Sequence, residues 1–236
     1  MALLEVRNVT SGYGELQILW GVDLALDQGQ LTTLVGSNGA GKTTLLRTVV
    51  GQLKPWQGQV FFQGQDVSKL TPFAKAEMGL IMVPEGRQLF TDMTVLENLE
   101  MGATPKRARP RQRQNIERVF TLFPRLRERM HQRAGTMSGG EQQMLAVARG
   151  IMSEPVILMV DEMSLGLAPV LALDLFQTLR RLRGEGYTIL LVEQNVRMAL
   201  KVSDFAYVLA KGKVDLSGPS RAVEKNEDVR KAYLGI

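Results

Sequence analysis

The sequence contains no cysteine and a single histidine, His131, in 236 residues. Without cysteine, neither a disulfide framework nor a thiolate metal site can form, and a reducing cytoplasm suits the chain. Long hydrophobic runs are also missing, since the most apolar segments, 156–160 and 188–192, are far too short to cross a bilayer. The first residues lack the charged region and apolar core of a signal peptide. We therefore expect this protein to serve a membrane only through partners.

The composition is that of an ordinary soluble globular protein, with 44% hydrophobic and 22% charged residues. The length allows a large core and one α/β domain with an inserted subdomain. The net charge of +5 is concentrated in 101–133, where ten Lys and Arg accompany two Glu. No aromatic residue interleaves the basic residues of 106–113 as a base-stacking platform. We interpret this block as a solvated helical surface that includes His131, and expect no nucleic-acid binding.

Short apolar runs alternate with helical patterns, which predicts an α/β fold with a mostly parallel sheet. A ligand is then expected at the carboxyl ends of the strands. Thr94 and Glu97 have capping-box spacing, and the pattern stays helical from there to about Ser153, which predicts an inserted helical subdomain. The predicted strands are 3–9, 22–26, 30–35, 59–62, 79–83, 156–160, 188–192, 205–209 and 213–217, with a turn at 11–14; the other predicted helices are 42–51, 170–184 and one that reaches 234.

The segment 36–44 reads GSNGAGKTT and matches G-x-x-x-x-G-K-[ST], the pattern of a phosphate-binding P-loop. It follows a predicted strand and precedes a predicted helix, which is the context that a P-loop requires. Lys42 would reach the β- and γ-phosphates of ATP, and the hydroxyl of Thr43 would bind Mg²⁺. The nucleotide-binding residues expected here are Gly36, Ser37, Asn38, Gly39, Ala40, Gly41, Lys42, Thr43 and Thr44.

The apolar run 156–160 is followed by two carboxylates, Asp161 and Glu162. By itself this pattern fits any strand that is followed by an acidic helix cap. After a P-loop it indicates a Walker B motif, in which Asp161 would hold the Mg²⁺ shell. Glu162 would accept a proton from the attacking water or orient that water, which makes it the candidate catalytic base.

Residues 138–143 read SGGEQQ and open a predicted helix, so free backbone N–H groups at its start can face an anion. One chain with two separate phosphate-facing elements suggests an ATP held between two such chains. At this pair of motifs the sequence resembles the nucleotide-binding subunit of an ATP-binding cassette (ABC) transporter, from about 4 to 234. Met137 stands where the signature motif of that family has leucine, which is a conservative apolar exchange.

This resemblance implies a P-loop ABC ATPase fold and a single domain over 1–236. Residues 1–90 and 154–236 would form a RecA-like core with a mostly parallel sheet and an N-terminal antiparallel β subdomain. The helical subdomain, about 91–153, would carry the signature motif. The implied ligands are ATP and Mg²⁺, and the implied activity is ATP hydrolysis.

The resemblance also implies roles for residues outside the P-loop. Ser138 and Gly140 would bind the γ-phosphate of ATP held by the other subunit, with Gly139 in the same site. Tyr13 would stack on adenine, and 164–168 would form the D-loop at the dimer interface.

Besides Met137, three positions depart from the usual family pattern. Met163 replaces a proline after the catalytic glutamate, which removes no catalytic group. Glu85 replaces a glutamine; its carboxylate can still approach Mg²⁺ or its waters but lacks the amide donor. Gln194 replaces the switch histidine, and its amide can donate to a γ-phosphate but cannot become cationic. The segments that resemble ATPases of branched-chain amino acid importers of the LivF type are VPEGR, SLGLAP, VEQN and the ending at 232–235.

The resemblance implies several partners. A homologous ATPase subunit would form a head-to-tail dimer with this chain, most often a heterodimer in vivo. Two transmembrane permease subunits would dock near 85–90, where Phe90 is the expected anchor and Arg87 a candidate partner for an acidic residue. A periplasmic solute-binding protein would take part indirectly. The expected location is the cytoplasmic face of the inner membrane, as a peripheral subunit.

Other functions stay open at this point. A urea or short-chain amide importer has similar ATPases, which tend to keep glutamine at the position of Glu85. A soluble ABC ATPase that acts on ribosomes or nucleic acid usually carries two cassettes in one chain, and this chain has one. A non-hydrolysing structural cassette is disfavoured by the presence of Lys42, Asp161 and Glu162.

Overall fold

The computed structural model describes residues 2–234 of the chain. Its strands are β1 (Leu4–Tyr13), β2 (Leu16–Leu26), β3 (Leu31–Val35), β4 (Gln57–Phe62), β5 (Gln65–Asp66), β6 (Leu80–Val83), β7 (Ile157–Asp161), β8 (Thr188–Glu193), β9 (Phe205–Ala210) and β10 (Lys213–Pro219). Its α-helices are α1 (Lys42–Val49), α2 (Pro72–Met78), α3 (Val95–Gly102), α4 (Gln112–Leu122), α5 (Pro124–Glu128), α6 (Gly139–Met152), α7 (Pro169–Gly184), α8 (Val196–Val202), α9 (Ser220–Lys225) and α10 (Glu227–Val229). Short 3₁₀ turns cover Arg109–Arg111 and Ala134–Thr136, and Arg230–Leu234 is a π-helical turn.

The strands form two sheets, as expected for the fold. One is antiparallel, with the order β2-β1-β4-β5. The other has the order β10-β9-β3-β8-β7-β6 and is parallel except for the β9–β10 hairpin. The predicted mostly parallel core sheet and N-terminal antiparallel sheet are therefore confirmed.

The parallel sheet is buried on both faces, which explains why its strands read as continuous apolar runs. Side chains alternate along a strand. In β8, Ile189 and Leu191 pack into the core built with the helices α3, α4, α6, α7 and α8. Leu190 and Val192 pack into a second core, which contains α1 and the antiparallel sheet. The core sheet thus joins the two cores and gives the site at its edge a rigid support.

The helical segment between β6 and β7 begins as predicted. The hydroxyl of Thr94 accepts a hydrogen bond from the backbone N–H of Glu97, and the Glu97 carboxylate accepts one from the N–H of Thr94, which confirms the capping box. The helices α3 to α6 all lie within 95–152. The division into a core (1–90 and 154–236) and a helical subdomain (about 91–153) stays a prediction.

The predicted turn at 11–14 is wrong, because Ser11 and Tyr13 belong to β1 and the hairpin turn lies at Gly14 and Glu15. The β1–β2 pairing has register shifts between Val6 and Gly12, which break the regular alternation of side chains. For this reason the sequence pattern predicted both strands too short. The ending at 232–235 extends beyond the described residues. No helix within residues 2–234 is long and apolar enough to cross a membrane.

Candidate nucleotide-binding site

The carboxyl ends of β3, β7 and β8 meet at one edge of the sheet. Val35, the last residue of β3, pairs with Glu193, and Asp161 pairs with Val192. The P-loop, the acidic pair after β7 and the segment after β8 therefore come together, although up to about 150 residues separate them in the sequence. This edge is where an open α/β sheet binds its ligand.

The P-loop keeps its shape because glycine stands where a side chain cannot. A Cβ at Gly36 would lie 2.3 Å from the carbonyl oxygen of Leu209, and Gly41 has a left-handed φ of 106°. The turn between β9 and β10 supports the loop from the side, because the N–H of Gly212 donates to the carbonyl of Ala40 at 2.9 Å. The loop is therefore held by β9 and its hairpin as well as by β3.

A cavity of about 380 Å³ opens over the P-loop. Most of the residues predicted for ATP, Mg²⁺ and catalysis line it: Asn38, Gly39, Gly41, Lys42, Thr43, Thr44, Glu85, Glu162 and Gln194. Ile18 and Leu165 add apolar surface that the motifs did not predict. Of the other P-loop residues, Gly36 and Ser37 direct their carbonyls to Lys42, and Ala40 is buried.

The ammonium group of Lys42 is held inside this cavity by acceptors from two motifs. It donates to the carbonyls of Gly36 and Ser37 at 3.0 and 3.2 Å, and it lies 3.2 Å from Oε1 of Glu162. Only 4% of the Lys42 side chain is exposed. A buried cation close to the P-loop amides provides a phosphate site, and the carboxylate of Glu162 lies at its side.

Asp161 is fully buried, and neither of its carboxylate oxygens has a hydrogen-bond partner among residues 2–234. Burial raises the pKa of Asp161 to about 6; the nearby charges of Glu162 and Glu85 add to this, while the Thr43 hydroxyl and Lys42 oppose it. A bound cation would satisfy these carboxylate oxygens and stabilise the charged form of Asp161.

The residues present fit a Mg²⁺ ion. Within residues 2–234 there is no group of three or more His, Cys, Asp or Glu that could form a complete metal cage. Mg²⁺ in nucleotide sites needs no such cage, because it keeps waters and substrate phosphates as ligands besides one or two protein oxygens. We propose that Thr43 and Asp161 supply those oxygens, with Glu85 facing the same cavity.

We expect the buried carboxyl of Asp161 to make stability depend on pH in the nucleotide-free protein. The folded state binds a proton between the ordinary pKa of 3.8 and the raised pKa of about 6, and the unfolded state releases it there. Relative to Asp161→Asn, the wild type should gain on the order of 1 kcal/mol of unfolding free energy between about pH 8 and about pH 5. Urea denaturation of both proteins at the two pH values measures this gain. A pH-independent difference would contradict it.

The segments after β7 and β8 are joined by a buried acid, Glu193. Its carboxylate accepts hydrogen bonds from the Ser164 N–H at 3.0 Å and the Ser164 hydroxyl at 2.6 Å. Burial raises the pKa of Glu193, although these hydrogen bonds oppose the shift. Glu193 was not predicted as a site residue; the signal in the sequence is an acid at the end of an apolar strand, next to Gln194. It fixes the start of the segment 164–168 relative to the cavity.

The signature segment lies outside this cavity. Ser138 caps α6 in a capping box, in which the Ser138 hydroxyl accepts from the Glu141 N–H and the Glu141 carboxylate accepts from the Ser138 N–H. Ser138, Gly139 and Gly140 do not line the cavity over the P-loop. The P-loop and the start of α6 therefore do not contribute to the same cavity within one chain.

Tyr13 and Arg87 are placed by neighbouring side chains. Tyr13 ends β1 outside the cavity lining; the residue is 40% exposed and its hydroxyl accepts a hydrogen bond from Arg47 at 3.1 Å. The guanidinium of Arg87 donates to the Gln142 side chain of α6 at 2.8 Å. Arg87 thus has one partner within the chain, and its contact with an acidic residue of a permease stays a prediction. His131 is exposed, as expected.

Comparison with known proteins identifies relatives over the whole chain. A family described as "ABC transporter" matches residues 19–164. The high-affinity branched-chain amino acid transport ATP-binding protein BraG of Pseudomonas aeruginosa is 44% identical, with 99% of this chain and 100% of the relative covered. A probable branched-chain amino acid transport ATP-binding protein, LivF, of Archaeoglobus fulgidus is 38% identical over 99% of both chains. The lipopolysaccharide export system ATP-binding protein LptB of Haemophilus influenzae is 30% identical over 100% of this chain and 98% of the relative.

Solved structures agree with this result. A nucleotide-free ATP-binding cassette from an ABC transporter superimposes with a TM-score of 0.82 at 28% identity, over 100% of this chain and 96% of that chain. An ATP-binding cassette in an ADP conformation gives a TM-score of 0.85 at 27% identity, over 100% of both chains. The overall fold of the chain is therefore that of a known ATP-binding cassette.

Proposed function

The chain belongs to the ABC transporter family of ATPases, and we propose that it energises the import of branched-chain or related amino acids. ATP binding and hydrolysis follow from the family. The observation that supports the solute class is the similarity, over nearly the full length, to two ATPases that are named for branched-chain amino acid transport. The more distant lipopolysaccharide export relative shares the ATPase but not the proposed cargo.

The catalytic roles are proposals that rest on the geometry of the cavity. The P-loop amides and Lys42 bind the ATP phosphates, and Thr43 and Asp161 hold Mg²⁺, which neutralises charge on the phosphates when it is bound. Glu162 accepts the proton of the attacking water. Gln194, which lines the same cavity, donates to the γ-phosphate.

The second half of the site would come from another subunit. The start of α6 at Ser138 lies outside the lining of the cavity of its own chain, so we assign it to the ATP of a partner. Leu165 is 56% exposed and lines the cavity, which suits a D-loop at a subunit boundary. We infer a head-to-tail dimer with a homologous ATPase, which ATP binding closes and hydrolysis reopens.

The other partners follow from this role. Two transmembrane permease subunits would carry the solute, a periplasmic binding protein would deliver it, and this chain would sit on the cytoplasmic face of the membrane. The test is reconstitution of the chain with a homologous ATPase, a permease pair and the binding protein in vesicles. ATP-dependent uptake of leucine, isoleucine or valine is expected. Uptake of urea or a short-chain amide instead, or of no solute, would reject the proposal.

A second cavity, of about 520 Å³, is a candidate for the permease docking site. It lies beside the segment 85–90, and its apolar lining includes Phe73, Ile81, Met82, Phe90 and Met101, with Arg149 at the same surface. Phe90 is 45% exposed although its backbone is fixed by Asn98. An aromatic ring that is rigidly held and half exposed suits an anchor at the centre of an interface.

Phe90→Asp should weaken permease docking without unfolding the subunit, since the ring is half exposed. Loss of a buried interface aromatic costs about 2 kcal/mol or more. Co-purification with the permease pair should fall steeply, while basal ATP hydrolysis of the free subunit stays near the wild-type value. Trp56→Asp is a matched control, because Trp56 is 44% exposed and lies outside this cavity. Intact co-purification and transport in the Phe90 variant would reject this docking surface.

A further inference from the structure

Three consecutive residues between the two cavities have left-handed backbone. Gly86, Arg87 and Gln88 have φ values of 77°, 66° and 45°. Glycine adopts this region freely, but Arg and Gln do so only at a cost in free energy. The single internal contact of the turn, from the Gln88 N–H to the Gly86 carbonyl at 2.7 Å, joins residues only two apart. Such a turn persists where surrounding structure holds it in place.

Arg149, on the helix α6, provides that support. Its guanidinium donates to the carbonyl of Gln88 at 2.7 Å and to the carbonyl of Arg87 at 3.3 Å. Both acceptors belong to the two strained residues, which lie 61 and 62 positions earlier in the sequence. The same guanidinium carbon lies 5.3 Å from the centre of the Phe90 ring, within cation–π range. Arg149 thus contacts the strained turn and the ring that follows it.

The turn sets the direction of the chain between two functional positions. Glu85, which precedes it, lines the nucleotide cavity, and Phe90, which follows it, lines the docking cavity. The Phe90 end is fixed, because its N–H and carbonyl are both bonded to the side chain of Asn98 at 3.0 and 2.9 Å. Because Glu85 lies two residues after the end of β6, the strand on one side and the turn on the other together set its position.

We propose that Arg149 is a positioning residue for ATP hydrolysis. Arg149 holds the left-handed turn at 86–88 and so keeps Glu85 at the nucleotide cavity. Arg149 also lines the docking cavity. The proposal deepens the proposed function, because it rests on a role for Glu85 beside the nucleotide. Its test uses hydrolysis by the free subunit, which does not depend on the solute or the permease. Failure of the proposed import function would therefore leave this test unaffected.

The experiment measures steady-state hydrolysis and ATP binding by the purified full chain. Arg149→Met keeps an unbranched apolar stem against Phe90 but removes the donors. We expect kcat to fall about tenfold, equivalent to about 1.4 kcal/mol in the barrier, with KM and Kd for ATP within about twofold of wild type. Gln88→Gly in the same variant should restore kcat to within about threefold of wild type, because glycine needs no support at positive φ. Gln88→Gly alone is the matched control, with kcat near wild type.

Two results with Arg149→Met would overturn the proposal. One is a wild-type kcat in Arg149→Met. The other is a reduced kcat that Gln88→Gly fails to restore, since the loss would then come from packing around α6. If Arg149→Met does not fold, the exposed Gln88 tests the turn in the wild-type background. Gln88→Val should then lower kcat, because a β-branched residue disfavours positive φ, and Gln88→Gly should not. Equal kcat in these two variants would also overturn the proposal.

Discussion

Glu162→Gln should lower ATP hydrolysis by about 10²-fold or more and leave ATP binding largely intact. The carboxylate lines the phosphate cavity, and its Oε1 lies 3.2 Å from Nζ of Lys42. Glutamine keeps the shape of the side chain but cannot accept a proton from the attacking water. Because binding persists while hydrolysis stops, the variant should accumulate as a closed, ATP-bound dimer, alone or with its homologous subunit.

The measurement pairs kcat from phosphate release with size-exclusion chromatography in the presence of MgATP. Glu185→Gln is the matched control, because Glu185 is an exposed acid whose ion pair with Arg118 lies away from the nucleotide cavity. Near-wild-type turnover in Glu162→Gln would assign the general base to another residue. Wild-type turnover in Glu185→Gln would show that the loss of hydrolysis is specific to the carboxylate of Glu162.

Lys42→Ala and Ser138→Arg should separate nucleotide binding from hydrolysis. Lys42 is the buried cation of the phosphate cavity, so its loss should abolish ATP binding by the isolated chain. Ser138 lies outside that cavity, so Ser138→Arg should leave binding by the isolated chain unchanged. In the assembly it should stop hydrolysis, since a long cationic side chain at the start of α6 would occupy the place of the partner's γ-phosphate.

Titration of each isolated variant with a fluorescent ATP analogue measures binding, and phosphate release by the assembled ATPase pair measures hydrolysis. Ser217→Arg, at an exposed position of β10, is the control for the added charge. If Ser138→Arg prevented the isolated chain from binding ATP, the model of a site shared between two subunits would be wrong. Hydrolysis at the wild-type rate in the Ser138→Arg assembly would have the same consequence.

Contiguous motifs determined the parts of this protein that depend on local geometry. The P-loop, the apolar strand before Asp161 and the capping box at Thr94 are each specified within about ten residues. Backbone conformation, missing Cβ atoms and strand periodicity are local properties, so the sequence indicated them directly. These motifs, with the resemblance they carried, were enough to predict the two sheets and the ATPase family.

Contacts between distant residues were decided only by the tertiary structure. The approach of Lys42 to Glu162, the clamp of Glu193 on Ser164 and the support of 86–88 by Arg149 join residues 29 to 120 positions apart. The sequence does not record how the sheet and α6 bring these groups together, nor that Arg87 faces Gln142. The direction and burial of a side chain arise from packing across the whole chain. The motifs identify the charged residues, but only the packing determines where their charges lie and how their pKa values shift.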